Sequence, residues 1–341
     1  MRAGFLDAPR RPTPRPPSVE AKPEVLPVPN SDVTKRTPEA TTRAFIDKAC
    51  SSQWRHGHEI VFPTNSTTDD ENVSHNLLLL LCGRGEVSPK AFATFATAID
   101  LPNTTCVSLL GCCALPFGLQ GREWFENFDV TTGDELPVDE NDCRRVDSLR
   151  KTVDDVLALI DALSGDSTTT NRVNTHCPYT AVPKSRIHVF GFSDGGTVAL
   201  AVALRRFGKQ RLGGVAVVAA GLLRETLTKN RTSKESGVNE TQFQPNCGAP
   251  TPVTMVCGKH DSVVPMQLVL ETQKLLLHVN PGCVADVFVD ERRKSHAMIT
   301  SPEATEHLMR FWGLTLGVPN MKAQALGEDV VEIPGGMGSA L

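Results

Sequence analysis

Residues 186–197 constrain this chain more than any other stretch. Arg186-Ile187-His188-Val189-Phe190 reads as a buried strand, and it runs straight into Gly191-Phe192-Ser193-Asp194-Gly195-Gly196. A helical pattern, 198–207, follows at once. A strand, Gly-x-Ser-x-Gly and a helix in that order define a nucleophile elbow. Gly191 and Gly195 lack a Cβ, so strand and helix can close around a sharp turn. Ser193 is then held in a strained conformation with its hydroxyl beyond the carboxyl edge of a sheet. A merely structural turn serine is the alternative reading of the same residues.

Bulk properties bound the rest. A chain of 341 residues with 40% hydrophobic content can hold one large α/β domain plus appendages. Net charge is −4, which gives no electrostatic case for a nucleic-acid partner. No apolar run reaches the length of a transmembrane helix; the longest, 77–82, is strand-sized. The first residues are proline-rich and lack a secretory apolar stretch, and Pro9, Pro12, Pro14, Pro16 and Pro17 oppose an amphipathic targeting helix. A cytoplasmic location is expected. The sequons beginning at Asn65, Asn72, Asn103, Asn230 and Asn239 then carry no weight. Ten scattered cysteines without Cys-x-x-Cys read as buried free thiols, and adjacent Cys112 and Cys113 do not favour an unstrained bridge.

Residues 1–40 read as a disordered proline-rich extension, 41–317 as a single α/β domain, and 318–341 as a flexible Gly-rich tail. Strands are expected at 59–62, 77–82, 105–110, 214–219, 252–257 and 284–289, besides the strand at the elbow. Helices are expected at 88–99, 141–163, 266–279 and 302–314, the second of these clearly amphipathic. Polar stretches at 164–183 and 222–250 read as insertions. Strand–helix alternation predicts a mostly parallel central sheet with helices on both faces.

A serine hydroxyl needs an imidazole to take its proton and a carboxylate to orient that imidazole. On this fold the partners follow in the order Ser, Asp or Glu, His, in loops beyond the carboxyl ends of strands. Asp261 lies in the short loop after strand 252–257, and His296 in the loop after strand 284–289. Asp261 as a helix-capping or turn residue and His296 as a solvated loop residue are the plainer alternatives. His260 precedes the acid, which breaks the order. His307 lies inside the last helix and is expected to face solvent. The oxyanion donors are expected at the backbone N–H of Asp194 and, from the early loop Cys82-Gly83-Arg84-Gly85, that of Arg84. His56-Gly57-His58 lacks a third ligand, so no metal site is expected.

Four segments together resemble the phospholipase/carboxylesterase family of α/β-hydrolases, which includes acyl-protein thioesterases and lysophospholipase-like proteins. Gly83-Arg84-Gly85-Glu86 resembles its His-Gly-x-Gly-Asp loop, and Gly191-Phe192-Ser193-Asp194-Gly195-Gly196 its elbow. Gly258-x-x-Asp261-x-x-Val264-Pro265 is similar to its acid loop, and Ser295-His296 to its histidine loop. Trp124-Phe125 resembles an element near the family's acyl site, which implies substrate contacts for both. The resemblance covers about 59–314. It implies a cofactor-free serine esterase acting on carboxylic esters, lysophospholipids or S-acylated proteins. Three departures stand out. Cys82 and Cys257 occupy places where the family often has His, and both read as small buried replacements. Asp194 follows the nucleophile, where an unpaired carboxylate would oppose the developing oxyanion; its side chain is expected to point away, solvated or paired. Asp194 and Cys82 also motivate the alternative of a catalytically weak or inactive member that binds a ligand or a protein. Peptide or lactone substrates are a further alternative.

Overall fold

The computed structural model describes residues 38–64, 75–139, 142–165, 181–205, 210–227, 250–279, 282–293 and 295–317. Those at 1–37, most of the 164–183 and 222–250 insertions, and the 318–341 tail lie outside this set, so the expectations placed on them do too. The first described element is α1, Pro38–Gln53, which starts slightly before the expected domain boundary and is a helix that periodicity did not suggest. Its apolar groups are few, but Ile46, Cys50 and nearby Trp54 are fully buried.

Among the described residues seven strands form the central sheet: β1 (His58–Val61), β2 (Asn76–Leu81), β3 (Thr104–Leu109), β6 (Ile187–Phe192), β7 (Gly214–Val218), β8 (Val253–Gly258) and β9 (Ala285–Asp290). Their spatial order is β1-β3-β2-β6-β7-β8-β9. Only β1 runs antiparallel, paired with β3; every other pairing is parallel. This is the mostly parallel sheet expected. The run Leu77 to Leu81 is 2% exposed or less throughout, because a central parallel strand is covered on both faces. Between β3 and the long helix, a small hairpin of β4 (Cys113–Ala114) and β5 (Arg122–Glu123) interrupts what sequence suggested was one loop.

The helices are α2 (Lys90–Ile99), α3 (Arg144–Ser164), α4 (Asp194–Ala203), α5 (Met266–Val279) and α6 (Pro302–Thr315). Alternation along β6 decides which helix meets which face. Phe190 points to α2 and α6, where it touches Phe92, Phe95 and Trp312. Gly191 points the other way, to α4. A Cβ on Gly191 would lie 2.5 Å from the Gly195 carbonyl oxygen and the Gly196 Cα. The glycines therefore permit the close crossing of β6 and α4. Helix α4 starts at Asp194, directly after the serine, and ends at Ala203. It is shifted toward the N-terminus relative to the apolar pattern, because the turn itself forms its first residues. Ser301 caps α6, accepting from the Ala304 N–H at 3.2 Å, with Pro302 next as expected.

Candidate active site

The carboxyl edge of the sheet gathers the loops after β2, β6, β8 and β9. Ser193 sits between β6 and α4 with φ 53° and ψ −123°, a conformation that non-glycine residues rarely adopt. The turn holds it there through two backbone bonds: the Ser193 N–H donates to Val218 O at 3.1 Å, and the Thr197 N–H donates to Ser193 O at 3.0 Å.

His296 arrives from the loop after β9, stacked on Phe192 with ring centroids 5.3 Å apart. Its Nε2 lies 2.8 Å from Ser193 Oγ. Its Nδ1 lies 2.9 Å from Asp261 Oδ2 and 3.2 Å from Oδ1. A carboxylate only accepts, so Nδ1 carries the proton and Nε2 is left to accept from the serine hydroxyl. Asp261 is itself fixed: its Oδ1 accepts from the N–H groups of Val263 and Val264, each at 2.9 Å, and its side chain is fully buried. One carboxylate thus closes the turn before α5 and meets the imidazole. Its turn hydrogen bonds hold it in line with the imidazole.

The residue after the serine is tied down. Asn127 Nδ2 donates to Asp194 Oδ2 at 3.0 Å, and Arg84 Nε stands 3.9 Å from the same oxygen. Burial pushes the Asp194 carboxyl above its ordinary range, opposed by the positive charges of Arg84 and Arg145. Asn127 also donates to Glu123 Oε2 at 3.0 Å, so it bridges two carboxylates. Arg84 lies over the Phe128 ring, 5.2 Å from its centroid. The glycine before Arg84 packs on the elbow: a Cβ on Gly83 would meet the Phe192 ring at 2.8 Å. These contacts place the 82–85 loop beside Ser193.

Trp124 stands elsewhere than expected. It is 0% exposed, packed on Trp54 with centroids 5.4 Å apart, and its Nε1 donates to Cys82 O at 2.7 Å. It braces the loop after β2 from below and offers no face to a substrate. Phe125, next to it, does line the cavity that opens at Ser193. That cavity measures about 260 Å³. A smaller one of about 150 Å³, between α3 and α4 and lined by Val146, Leu149 and Ala201, does not include the serine.

The rival histidines have other surroundings. His260 is exposed. His307 does not face solvent freely as expected; it packs on Phe288 at 5.0 Å and meets Thr254 Oγ1 at 2.8 Å. His58 Nε2 is engaged by Asp47 at 2.8 Å, and His56 lies 3.3 Å from the Arg122 guanidinium. Cys82 and Cys257 are buried as expected, and burial raises their thiols to about 12 and about 11. Cys143 is exposed, contrary to the expectation of buried thiols; it precedes the first turn of α3. Sequence reasoning missed Asn127, Arg145 and Glu225 in the cavity wall, because single polar residues in a loop or on a helix carry no spacing signature.

A doubly wound, mostly parallel sheet with a strained serine at the turn after its central strand defines the α/β-hydrolase fold. Residues 64–301, more than half of the chain, match the model of the phospholipase/carboxylesterase family, and the chain belongs to that family. An uncharacterised hydrolase of Schizosaccharomyces pombe is 28% identical over 160 residues, 46% of this chain and 58% of that protein. The match thus spans little more than half the length of that relative. Among solved structures, a Bacillus cereus carboxylesterase is similar with a TM-score of 0.52 at 14% identity, over 78% of this chain and 97% of the other. The esterase PE8 is similar with a TM-score of 0.51 at 18% identity, over 75% and 98%. These likenesses are of fold.

Proposed function

We propose that this protein is a serine hydrolase of carboxylic esters or thioesters, with Ser193 as nucleophile, His296 as base and Asp261 as its orienting carboxylate. The observation that carries the reading is the unbroken chain from Ser193 Oγ through His296 to Asp261, at 2.8 and 2.9 Å. Membership of the phospholipase/carboxylesterase family supports it. In the first half-reaction His296 Nε2 takes the hydroxyl proton as Oγ bonds to the carbonyl carbon. The backbone N–H groups of Arg84 and Asp194 receive the oxyanion. Collapse of the tetrahedral species expels the alcohol or thiol, which takes its proton from Nε2, and leaves an acyl-serine. Water, deprotonated by the same Nε2, then releases the acid and restores the serine.

The tie from Asn127 and Arg84 to Asp194 bears on the alternative of an inactive member. A carboxylate that accepts a hydrogen bond and stands near a cation opposes the oxyanion less than a free one. Acyl esters, lysophospholipids and S-acylated proteins remain the substrate classes that the family resemblance suggests. The test is labelling by a fluorophosphonate probe together with turnover of p-nitrophenyl esters. Native protein is expected to label and turn over, and Ser193→Ala to do neither while keeping its circular dichroism. Labelling that persists in Ser193→Ala sinks the assignment.

A further inference from the structure

The wall of the 260 Å³ cavity holds charges that the reaction at Ser193 does not use. Glu225 lies just after β7, and its side chain is 1% exposed. Both of its carboxylate oxygens are buried without a hydrogen bond. Its facing cation, Arg145 on the first turn of α3, stands 3.5 Å away, and the Arg145 Nε is likewise buried and unbonded. A buried ion pair is stabilising only when further hydrogen bonds complete it. Two acceptors and a donor without hydrogen-bond partners, buried in the wall of one cavity, are what a polar ligand seated there would complete.

Charge narrows the chemistry. The cavity lining contains three arginines, Arg84, Arg145 and Arg224, and three carboxylates, Glu135, Asp194 and Glu225. The signs balance, so neither an anionic nor a cationic ligand is selected. The carboxylate asks for donors. A hydroxyl supplies a donor to Glu225 and an acceptor to Arg145 Nε with one group and without adding charge.

We propose that Arg145 and Glu225 form a specificity subsite for small neutral esters that carry hydroxyl groups. The proposal rests on the assignment of Ser193 as nucleophile only for the word ester; the recognition itself stands on the cavity. An apolar ester would leave the pair unsatisfied, and a site built for a hydroxyl rejects the analogue lacking it.

The test uses matched pairs that differ by hydroxyls alone. In the alcohol half these are glyceryl monobutyrate and propyl butyrate; in the acyl half, p-nitrophenyl 3-hydroxybutyrate and p-nitrophenyl butyrate. The native protein is expected to favour the hydroxylated member of at least one pair by about tenfold or more in kcat/KM. The double substitution Arg145→Met with Glu225→Met removes both charges together, so neither is stranded. It is expected to bring that ratio to about one or below. Binding of glyceryl monobutyrate and propyl butyrate to Ser193→Ala, measured by calorimetry, reads the same preference without turnover. Preference in binding with no turnover and no fluorophosphonate labelling upholds the subsite and removes the Ser193 reading. Turnover with no preference for hydroxyls in either pair overturns the subsite and leaves the Ser193 reading intact. Equal binding of the two butyrates by Ser193→Ala, in a protein that shows no turnover, also overturns it, since water alone then satisfies the pair.

Discussion

At the scale of single residues, the proposed triad depends on two oxygens of Asp261 doing separate work. Oδ1 accepts from the backbone of Val263 and Val264, and Oδ2 makes the shorter contact with His296 Nδ1. Asp261→Asn keeps the shape but presents an amide, and the imidazole is then free to adopt the wrong tautomer. A loss of up to about 10⁴ in kcat is expected, with KM little changed, as measured on p-nitrophenyl esters. That Ser193, Asp261 and His296 come together was legible in the sequence, because chain order and position after strands are strong rules. Trp124 was misread because neighbouring aromatics give no sign of which ring is covered: Phe125 reaches the cavity, and Trp124 is spent bracing Cys82. Arg145 falls in the expected helix 141–163 and Glu225 in the expected insertion 222–250, where neither carries a spacing signal. Only folding shows that both are enclosed.

At the scale of elements, the crossing of β6 and α4 is the joint on which the site depends. Gly191→Ala would drive a methyl into the backbone of Gly195 and Gly196 at 2.5 Å, where no flexible side chain can yield. A loss of about 1–3 kcal/mol or more is expected from urea unfolding, with fluorophosphonate labelling falling further than stability alone explains. The strands were read within a residue or two, since parallel strands buried on both faces are continuous apolar runs. Helix α1 escaped notice because its sequence, with Asp47, Lys48, Ser51 and Ser52 among few apolar groups, lacks a clear stripe; Ile46 and Cys50 suffice to dock it. The hairpin of β4 and β5 is too short for any period to show.

At the scale of the whole molecule, stability is expected to carry the signature of one buried histidine. His188, in the middle of β6, is 1% exposed, and burial, aided by the charge of Arg211, pushes its imidazole down to about 3. The unfolded chain titrates near the ordinary value of about 6.5. The unfolded state therefore binds the proton first as pH falls, and stability present above about 6.5 is lost progressively toward 3. Between pH 6.5 and 4 the loss from this group is about 3 kcal/mol. His188→Leu is expected to flatten the fall of the urea midpoint over that window; an equally steep fall in the variant would assign the acid sensitivity to other groups. The order of the chain has its own consequence. All seven strands are complete by Asp290, yet the imidazole that faces Ser193 comes six residues later. A nascent chain thus carries the serine and the carboxylate before the imidazole proposed to deprotonate that serine has been added.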